Sequence, residues 1–362
     1  MKKRYIGIMS GTSLDGVDVA LCQIDKAGCS LEFSYNTSFD LKLKQEIFSV
    51  INATTTIKQI GEIDYKLALL FAKAVKSLLK LASLKASDIV AIGSHGQTLW
   101  HEPYGEYPFS LQLGNASVLA VETGIDVVAD FRSKDLAYGG QGAPFAPAFH
   151  AFLFSHLPAC AVLNLGGMAN ISILGKELIG YDTGCGNVLM DFWIKEHQDL
   201  DYDKEGAWAK SGKIHHKLLD NMLQDDYFLL NFPKSTGREY FNKNFLIKYL
   251  EPLGKIVAKN VQATLLALTV HTVANEIKKF HIRELLVCGG GVRNIFLMNE
   301  LQKALPSVQV TSTEKYGVDS ENMEAMIFAW LAHKRLQEES VDLKTVTGAR
   351  KNTILGALYA SS

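Results

Sequence analysis

Ser10, Gly11, Thr12, Ser13, Leu14, Asp15, Gly16, Val17 and Asp18 gather hydroxyls, two glycines and two carboxylates between two apolar runs. Residues 5–21 therefore read as a hairpin with a polar tip. Such a tip suits phosphate: Gly11 and Gly16 permit positive φ and close backbone approach, Ser10, Thr12 and Ser13 add hydroxyls, and Asp15 and Asp18 can hold water or a cation. An ordinary polar turn has the same composition, so the tip alone does not decide. Two more small-residue turns follow strand-like runs, Gly166 with Gly167, and Gly289 with Gly290 and Gly291. His95, in the polar stretch Ser94-His95-Gly96-Gln97-Thr98, and Arg132, closing Asp130-Phe131-Arg132, follow buried strand-like runs, where open α/β sheets carry ligand groups. Taken alone, His95 reads more readily as a hydrogen-bonded structural histidine than as a ligand group.

Spacing narrows the chemistry. Gly11 and Gly16 stand at Walker-loop distance, but Val17 occupies the lysine position and a strand-like run follows, so the tip is not a P-loop. The three glycines lack the last member of G-x-G-x-x-G, where Asn294 stands, which disfavours a nicotinamide enzyme. Cys22, Cys29, Cys160, Cys185 and Cys288 are scattered without a C-x-x-C pair, and no H-E-x-x-H is present. Neither zinc nor a disulfide framework is expected. A formal net charge of -1 gives no electrostatic basis for a nucleic-acid or membrane partner. The apolar segment behind the basic N-terminus ends at Met9, too short for a secretory core, and no apolar run reaches bilayer length. A cytoplasmic protein with free thiols is the expectation.

Positioning these groups takes a large α/β frame, and 362 residues at 48% hydrophobic content suffice for two cores. Residues 31–43 read as extended and 45–51 as a short helix. Over 60–81, Ile63, Leu67, Leu70, Phe71, Ala74 and Leu78 recur at helical spacing, opposite a lysine-bearing solvated face. Residues 109–113 and 125–129 read as strands, and Asn115 as the cap of a helix reaching 123. The densest glycine and proline cluster, 138–147, is placed as a domain boundary, where a linker and a substrate-lining loop would look alike. Beyond it, a strand at 159–165, a turn over 166–170 and a returning strand at 171–174 repeat the opening architecture, suggesting two related domains. Helices are expected at 261–280, 296–305 and 321–338. Two strand-turn-strand loops with one strand-glycine-helix turn resemble the layout of actin-like ATPases and sugar kinases. Nucleotide would then lie in a cleft between two domains, its β- and γ-phosphates clasped by the hairpins and its adenosine near the third turn.

A closer resemblance covers nearly the whole chain. The run Ile8-Met9-Ser10-Gly11-Thr12-Ser13-Leu14-Asp15-Gly16-Val17-Asp18 resembles the signature of the anhydro-N-acetylmuramic acid kinases, members of the actin-like superfamily. Gly93-Ser94-His95-Gly96-Gln97-Thr98, Asp126-Val127-Val128-Ala129-Asp130-Phe131-Arg132, Gly139-Gly140-Gln141-Gly142-Ala143-Pro144, Lys234-Ser235-Thr236-Gly237-Arg238-Glu239 and the stretch around Glu324 match as well. The resemblance implies an α/β fold of two actin-like (ribonuclease H-like) domains, 1–145 completed by 345–362, and 146–344. It also implies ATP and Mg²⁺ as cofactors, a homodimer, and 1,6-anhydro-N-acetylmuramic acid as substrate, its ring opened and its 6-oxygen phosphorylated during peptidoglycan recycling.

Gly180-Tyr181-Asp182-Thr183-Gly184-Cys185-Gly186-Asn187 resembles the family's Asp-x-Gly-Pro-Gly-Asn loop, whose aspartate is the catalytic base. Cys185 replaces the proline, which touches loop rigidity and leaves Asp182 in place. By its own chemistry Asp182 is equally a turn-capping aspartate, and Glu324 a solvated first-turn helix charge. The resemblance assigns Asp182 to water activation, and Glu324, Arg132 and His95 to the sugar. It assigns nucleotide contacts to 11–18, Gly166, Gly167, Gly289, Gly290 and Gly291, and no metal ligands. Another actin-fold sugar kinase and an ATP-driven switch or chaperone are the competing readings.

Overall fold

The computed structural model describes residues 2–11, 14, 16–52 and 55–362, with Asn52 described by its backbone alone. Thr12, Ser13 and Asp15 of the expected phosphate turn lie outside the described residues. The strands are β1 (Lys3–Ser10), β2 (Gly16–Asp25), β3 (Gly28–Ser38), β4 (Ala91–Glu102), β5 (Phe109–Leu113), β6 (Val127–Ala129), β7 (Cys160–Leu165), β8 (Met168–Leu174), β9 (Leu178–Cys185), β10 (Glu284–Cys288), β11 (Gln309–Ser312) and β12 (Ala357–Tyr359). They fall into two compact units: Met1–Leu153 with Asn322–Ser362, and Phe154–Glu321. This is an α/β chain with one mixed sheet in each unit.

The first unit orders its strands β12-β6-β4-β1-β2-β3, with β5 paired to β4. Period-2 alternation decides which helix each face receives. Ile6, Ile8 and Ile92 point to one face and join a core with Leu67, Phe71 and Leu78 of the helix Ile57–Leu81. That helix opens with a capping box, in which Thr56 accepts from the Gln59 amide and Gln59 accepts from the Thr56 amide. Gly7 and Gly93, one position along, face the other side, where the helix Met323–Leu336 lies. A Cβ on Gly7 would stand 1.9 Å from the Ala325 carbonyl oxygen, and one on Gly93 1.9 Å from that of Phe328. Two glycines inside strands thus let a helix backbone rest directly on the sheet.

The second unit orders its strands β11-β10-β7-β8-β9. β7, β8 and β9 form an antiparallel meander, and β10 runs parallel to β7. β1, β2 and β3 form the same meander, with β4 parallel to β1. The architectural echo read between the two halves of the sequence is present as topology. The helix Ala258–Ile277 is buried all round over residues 261–270, with Lys259, His271 and Asn275 exposed, and its Val261, Leu265, Leu268 and Val273 share a core with Leu163, Leu165 and Ile171 of the sheet.

Some boundaries move from their expected places for identifiable reasons. The extended run ends at Ser38, because Asp40 accepts a 2.7 Å bond from the Leu43 amide and starts the helix Leu41–Asn52 there. The polar stretch 94–98 is strand and not loop: β5 pairs with β4 from Gln97 to Glu102, which carries the strand through His95. The turn expected over 166–170 shrinks to Gly166 and Gly167, since β8 begins at Met168. Among the described residues no helix is long and apolar enough to cross a membrane.

Candidate active site

Asp182 lies in β9 and not in a loop, opposite Asn170 of β8 and just past a register shift. A segment crossing beside β9 holds it in place. The Asp182 amide donates to the Lys234 carbonyl at 3.1 Å, its carbonyl accepts from the Tyr227 hydroxyl at 2.9 Å, and its Oδ2 accepts from the Thr236 amide at 2.9 Å. Burial pushes the carboxyl up to about 6, against the Thr236 N–H, which favours the charged form, and with the added repulsion of Glu239. A carboxylate tuned to that range accepts a proton at neutral pH and is basic enough to keep it through a transition state. The Thr236 hydroxyl oxygen, buried next to it, has no hydrogen-bond partner among the described residues.

Downstream of Asp182 the backbone turns back on the second glycine turn. The Gly166 carbonyl accepts from the Asn187 amide, and that of Gly167 from the amides of Gly186 and Val188. A Cβ on Gly186 would meet the Gly166 oxygen at 2.3 Å. Thr269 adds hydrogen bonds to the carbonyls of Cys185 and Gly186. Cys185 is buried in the core, and its segment is fixed by these bonds. Arg238 stands beside the turn, its guanidinium 3.8 Å from where a Cβ on Gly167 would be.

The three glycines after β10 have separate duties. A Cβ on Gly289 would meet Asn164 Oδ1 at 2.4 Å, and one on Gly291 would meet Leu165 Cβ at 2.5 Å, so both are small to let the turn lie against β7. Gly290 has nothing within 4 Å of that position and lines a cavity of about 770 Å³. Asn187, Asp191, Tyr202, Asp203, Glu205, Gly291, Arg293 and Asn294 also line it. The volume suits a nucleoside-sized ligand. Burial pushes the Asp191 carboxyl up to about 7, with Arg238 pulling it down and Asp203 pushing it up.

In the first unit, the Arg132 guanidinium donates to Nε2 of His95 at 2.8 Å and to the Gly142 carbonyl at 2.7 Å, and lies 5.2 Å over the Phe145 ring. An arginine can only donate, so His95 accepts at Nε2 and is neutral. Burial, then the arginine's charge, drives the imidazole down to about 3. Arg132 Nε is buried with no hydrogen-bond partner among the described residues. The glycine and proline cluster is pinned in place: the Gly142 amide donates to buried Asp135, which also takes the Thr347 hydroxyl, and the Gln141 amide donates to the Thr347 carbonyl. It is a fixed loop and not a linker. Glu324, in the first turn of Met323–Leu336, is exposed to solvent. In the first hairpin Leu14 and Val17 are wholly buried core side chains, leaving only their backbone to a ligand. Ser10 donates to Gln97 at 2.5 Å, and Asp18 accepts from Asn36 at 2.6 Å.

The sequence profile described as anhydro-N-acetylmuramic acid kinase matches residues 3–361. The chain belongs to that family. It is 56% identical to the anhydro-N-acetylmuramic acid kinase of Sulfurovum sp. (strain NBC37-1) over 99% of both chains. Its identity is 53% to the kinase of the same name from Sulfurimonas denitrificans (99% of this chain, 100% of that one) and 48% to that from Aliivibrio fischeri (99% and 100%).

For this member of the anhydro-N-acetylmuramic acid kinases, the fold brings into one unit Asp182, Gly166, Gly167, Gly289, Gly290 and Gly291. It brings into the other His95, Arg132, Glu324 and the described part of residues 11–18. Sequence reasoning gave no role to Lys234, Tyr227, Glu276, Gly7 or Gly93. A signal existed for some of them: Glu276 is an acid on a largely apolar helix, and Gly7 and Gly93 interrupt β-rich runs where a side chain would be expected. Lys234 stood in a matching segment without a role of its own and Tyr227 gave no signal, since their use depends on which strand their segment crosses.

Proposed function

We propose that the chain uses ATP to open the 1,6-anhydro ring of 1,6-anhydro-N-acetylmuramic acid with water and to phosphorylate the freed 6-oxygen, yielding N-acetylmuramic acid 6-phosphate. The observation that carries this reading is Asp182, a carboxyl held by the Thr236 amide and raised by burial to about 6. Water attacks the anomeric carbon as Asp182 takes its proton, and the bond from that carbon to the bridging oxygen breaks. The released 6-oxygen attacks the γ-phosphorus, the bond to the β-phosphate oxygen breaks, and ADP leaves. Sugar, water and ATP thus give phosphosugar, ADP and a proton.

Arg132, His95 and Glu324 are the proposed sugar contacts. Arg132 suits an acidic sugar, because a buried guanidinium with an unspent Nε donor gains most from a carboxylate. The cavity at Gly290 would take the nucleoside, and the turns at residues 11–18 and at Gly166 and Gly167 the phosphates. Mg²⁺ held largely by nucleotide phosphates and water needs only one or two protein carboxylates, and Asp18 can supply one. Bound there, the ion would neutralise phosphate charge. The shared meander-plus-parallel-strand topology supports reading both units as actin-like domains. Five buried cysteines outside any disulfide suit the reducing cytoplasm, and a homodimer, implied by the family resemblance, is tested by light scattering. Mass spectrometry tests the reaction. With ATP, Mg²⁺ and the anhydro-sugar, the product should gain phosphate plus the elements of water, and heavy-oxygen water should place its label at the anomeric carbon. A gain of phosphate alone would remove the hydrolytic step and Asp182's role with it.

A further inference from the structure

Asp182 owes its place to two segments that meet, β9 and the stretch 234–236, and both are tied to one carboxylate behind them. Glu276, on the helix Ala258–Ile277, accepts from the Tyr181 hydroxyl at 2.9 Å and from Lys234 Nζ at 2.9 Å. Tyr181 immediately precedes Asp182 in β9. Lys234 gives its carbonyl to the Asp182 amide and stands two residues before the Thr236 amide that binds Oδ2. Glu276 therefore grips both sides of the junction that holds the candidate base. The side chains of Lys234 and Glu276 are only 2% and 6% exposed, and Lys234 also lies 5.2 Å over the ring of Tyr227, whose hydroxyl binds the Asp182 carbonyl.

We propose that the Lys234–Glu276 pair, with Tyr181, is a strut that positions Asp182 for attack. The inference rests on the reading of Asp182 as the base. Burying an ion pair is a weak route to stability, since desolvation consumes most of the Coulomb gain. A hydrophobic pair would fill the same space but would not fix the direction of two chain segments at once. The pair touches no substrate group in this reading, so both residues are positioning residues. The charged and titratable groups facing the junction are few. Glu276 meets Lys234, Lys279 and Tyr181. Asp182 feels Glu239, and Tyr227 in turn feels Asp182, Glu276, Cys185 and Tyr240. Burial pushes the Glu276 carboxyl up, but the hydrogen bonds from Lys279 and Lys234 outweigh it and leave the group below its ordinary value. It is therefore charged, and the strut intact, wherever Asp182 titrates.

Lys234→Met releases 234–236 and with it the Thr236 N–H that favours ionised Asp182. Kinetics of the full-length enzyme should show kcat falling on the order of a hundredfold, as for misplaced reacting groups. The acid limb of the kcat–pH profile should move upward by about half a unit as that hydrogen bond is lost, while ATP affinity by calorimetry stays put. Glu276→Gln keeps a partner for Tyr181 and should move the limb in the same direction by less; it carries the test if Lys234→Met does not fold. A uniform loss at every pH, the limb unmoved in both variants, means the pair only stabilises the fold and overturns the proposal. Asp182→Asn separates the two layers. If it retains turnover, the base reading fails and the strut falls with it; if it is inactive while the limb stays fixed in the Lys234 and Glu276 variants, the strut alone is wrong.

Discussion

At the scale of single residues, Asp182 is where function and stability pull apart. The folded protein holds its proton up to about pH 6, whereas an unfolded aspartate releases it near 3.8. Between those values the native state binds more protons, so stability falls as pH rises through the window, and the loss is complete above it. Asp182→Asn removes the penalty. It should melt higher than the parent above pH 6, by about 1–2 kcal/mol after allowance for partial solvent access, and match it at pH 4; calorimetric scans at the two pH values check this. Turnover should move the opposite way, with kcat down on the order of a thousandfold and sugar and ATP binding kept. For the parent, kcat should fall as pH drops through about 6, where the proposed base becomes protonated. The motif around Asp182 is what put it forward as the candidate base. Its raised value was not, because burial in β9 and the approach of Glu239 and Thr236 come from parts of the chain more than fifty residues away.

At the scale of elements, the helix Met323–Leu336 shows how glycine in a strand places a proposed sugar contact, Glu324. Gly7→Ala or Gly93→Ala must push the helix off the sheet, since each new Cβ would lie 1.9 Å from a helix carbonyl oxygen. The cost is that of severe overpacking, about 2–3 kcal/mol. Because the helix bears Glu324 and also Phe328, whose ring lies 4.7 Å from that of His95, the KM for the amino sugar should rise more than the KM for ATP. Gly61→Ala is the contrasting change. Gly61 is inside the helix Ile57–Leu81 with nothing near its absent Cβ, so alanine should stabilise by about 0.5–1 kcal/mol and leave both KM values alone. Denaturant midpoints and initial rates separate the three variants. The helices themselves were readable from apolar spacing. Their faces were not: Met323–Leu336 is buried almost all round, so periodicity names no side for it, and only the sheet's glycines do.

At the scale of the whole molecule, a late segment of the chain returns to its first unit. The first unit takes Asn322–Ser362 back, and its sheet is completed by β12, which pairs antiparallel with β6: Ala357 opposite Ala129, Leu358 opposite Val128, Tyr359 opposite Val127. Ser361 adds amide and hydroxyl bonds to the Asp126 carboxylate. Three residues of β6 lead directly into Asp130 and Arg132, so the last turn of chain braces the strand that presents a proposed sugar contact. A segment this short has too little pattern to read alone; its partner on β6 is more than two hundred residues earlier. On the other edge β6 meets β4 through only Ile92 with Val127 and Gly93 with Val128. Removing residues 357–362 therefore leaves β6 as a short edge strand held by one neighbour, and the Arg132 to His95 contact loses its backing. The truncated protein should keep ATP affinity, whose proposed cavity is built wholly from the other unit. Its KM for the amino sugar should rise on the order of tenfold or more, as expected for a ligand group displaced from its bonding geometry. Parallel titrations with ATP and sugar decide it: an equal weakening of both ligands would mean that the tail serves the fold at large and not the strand under Arg132.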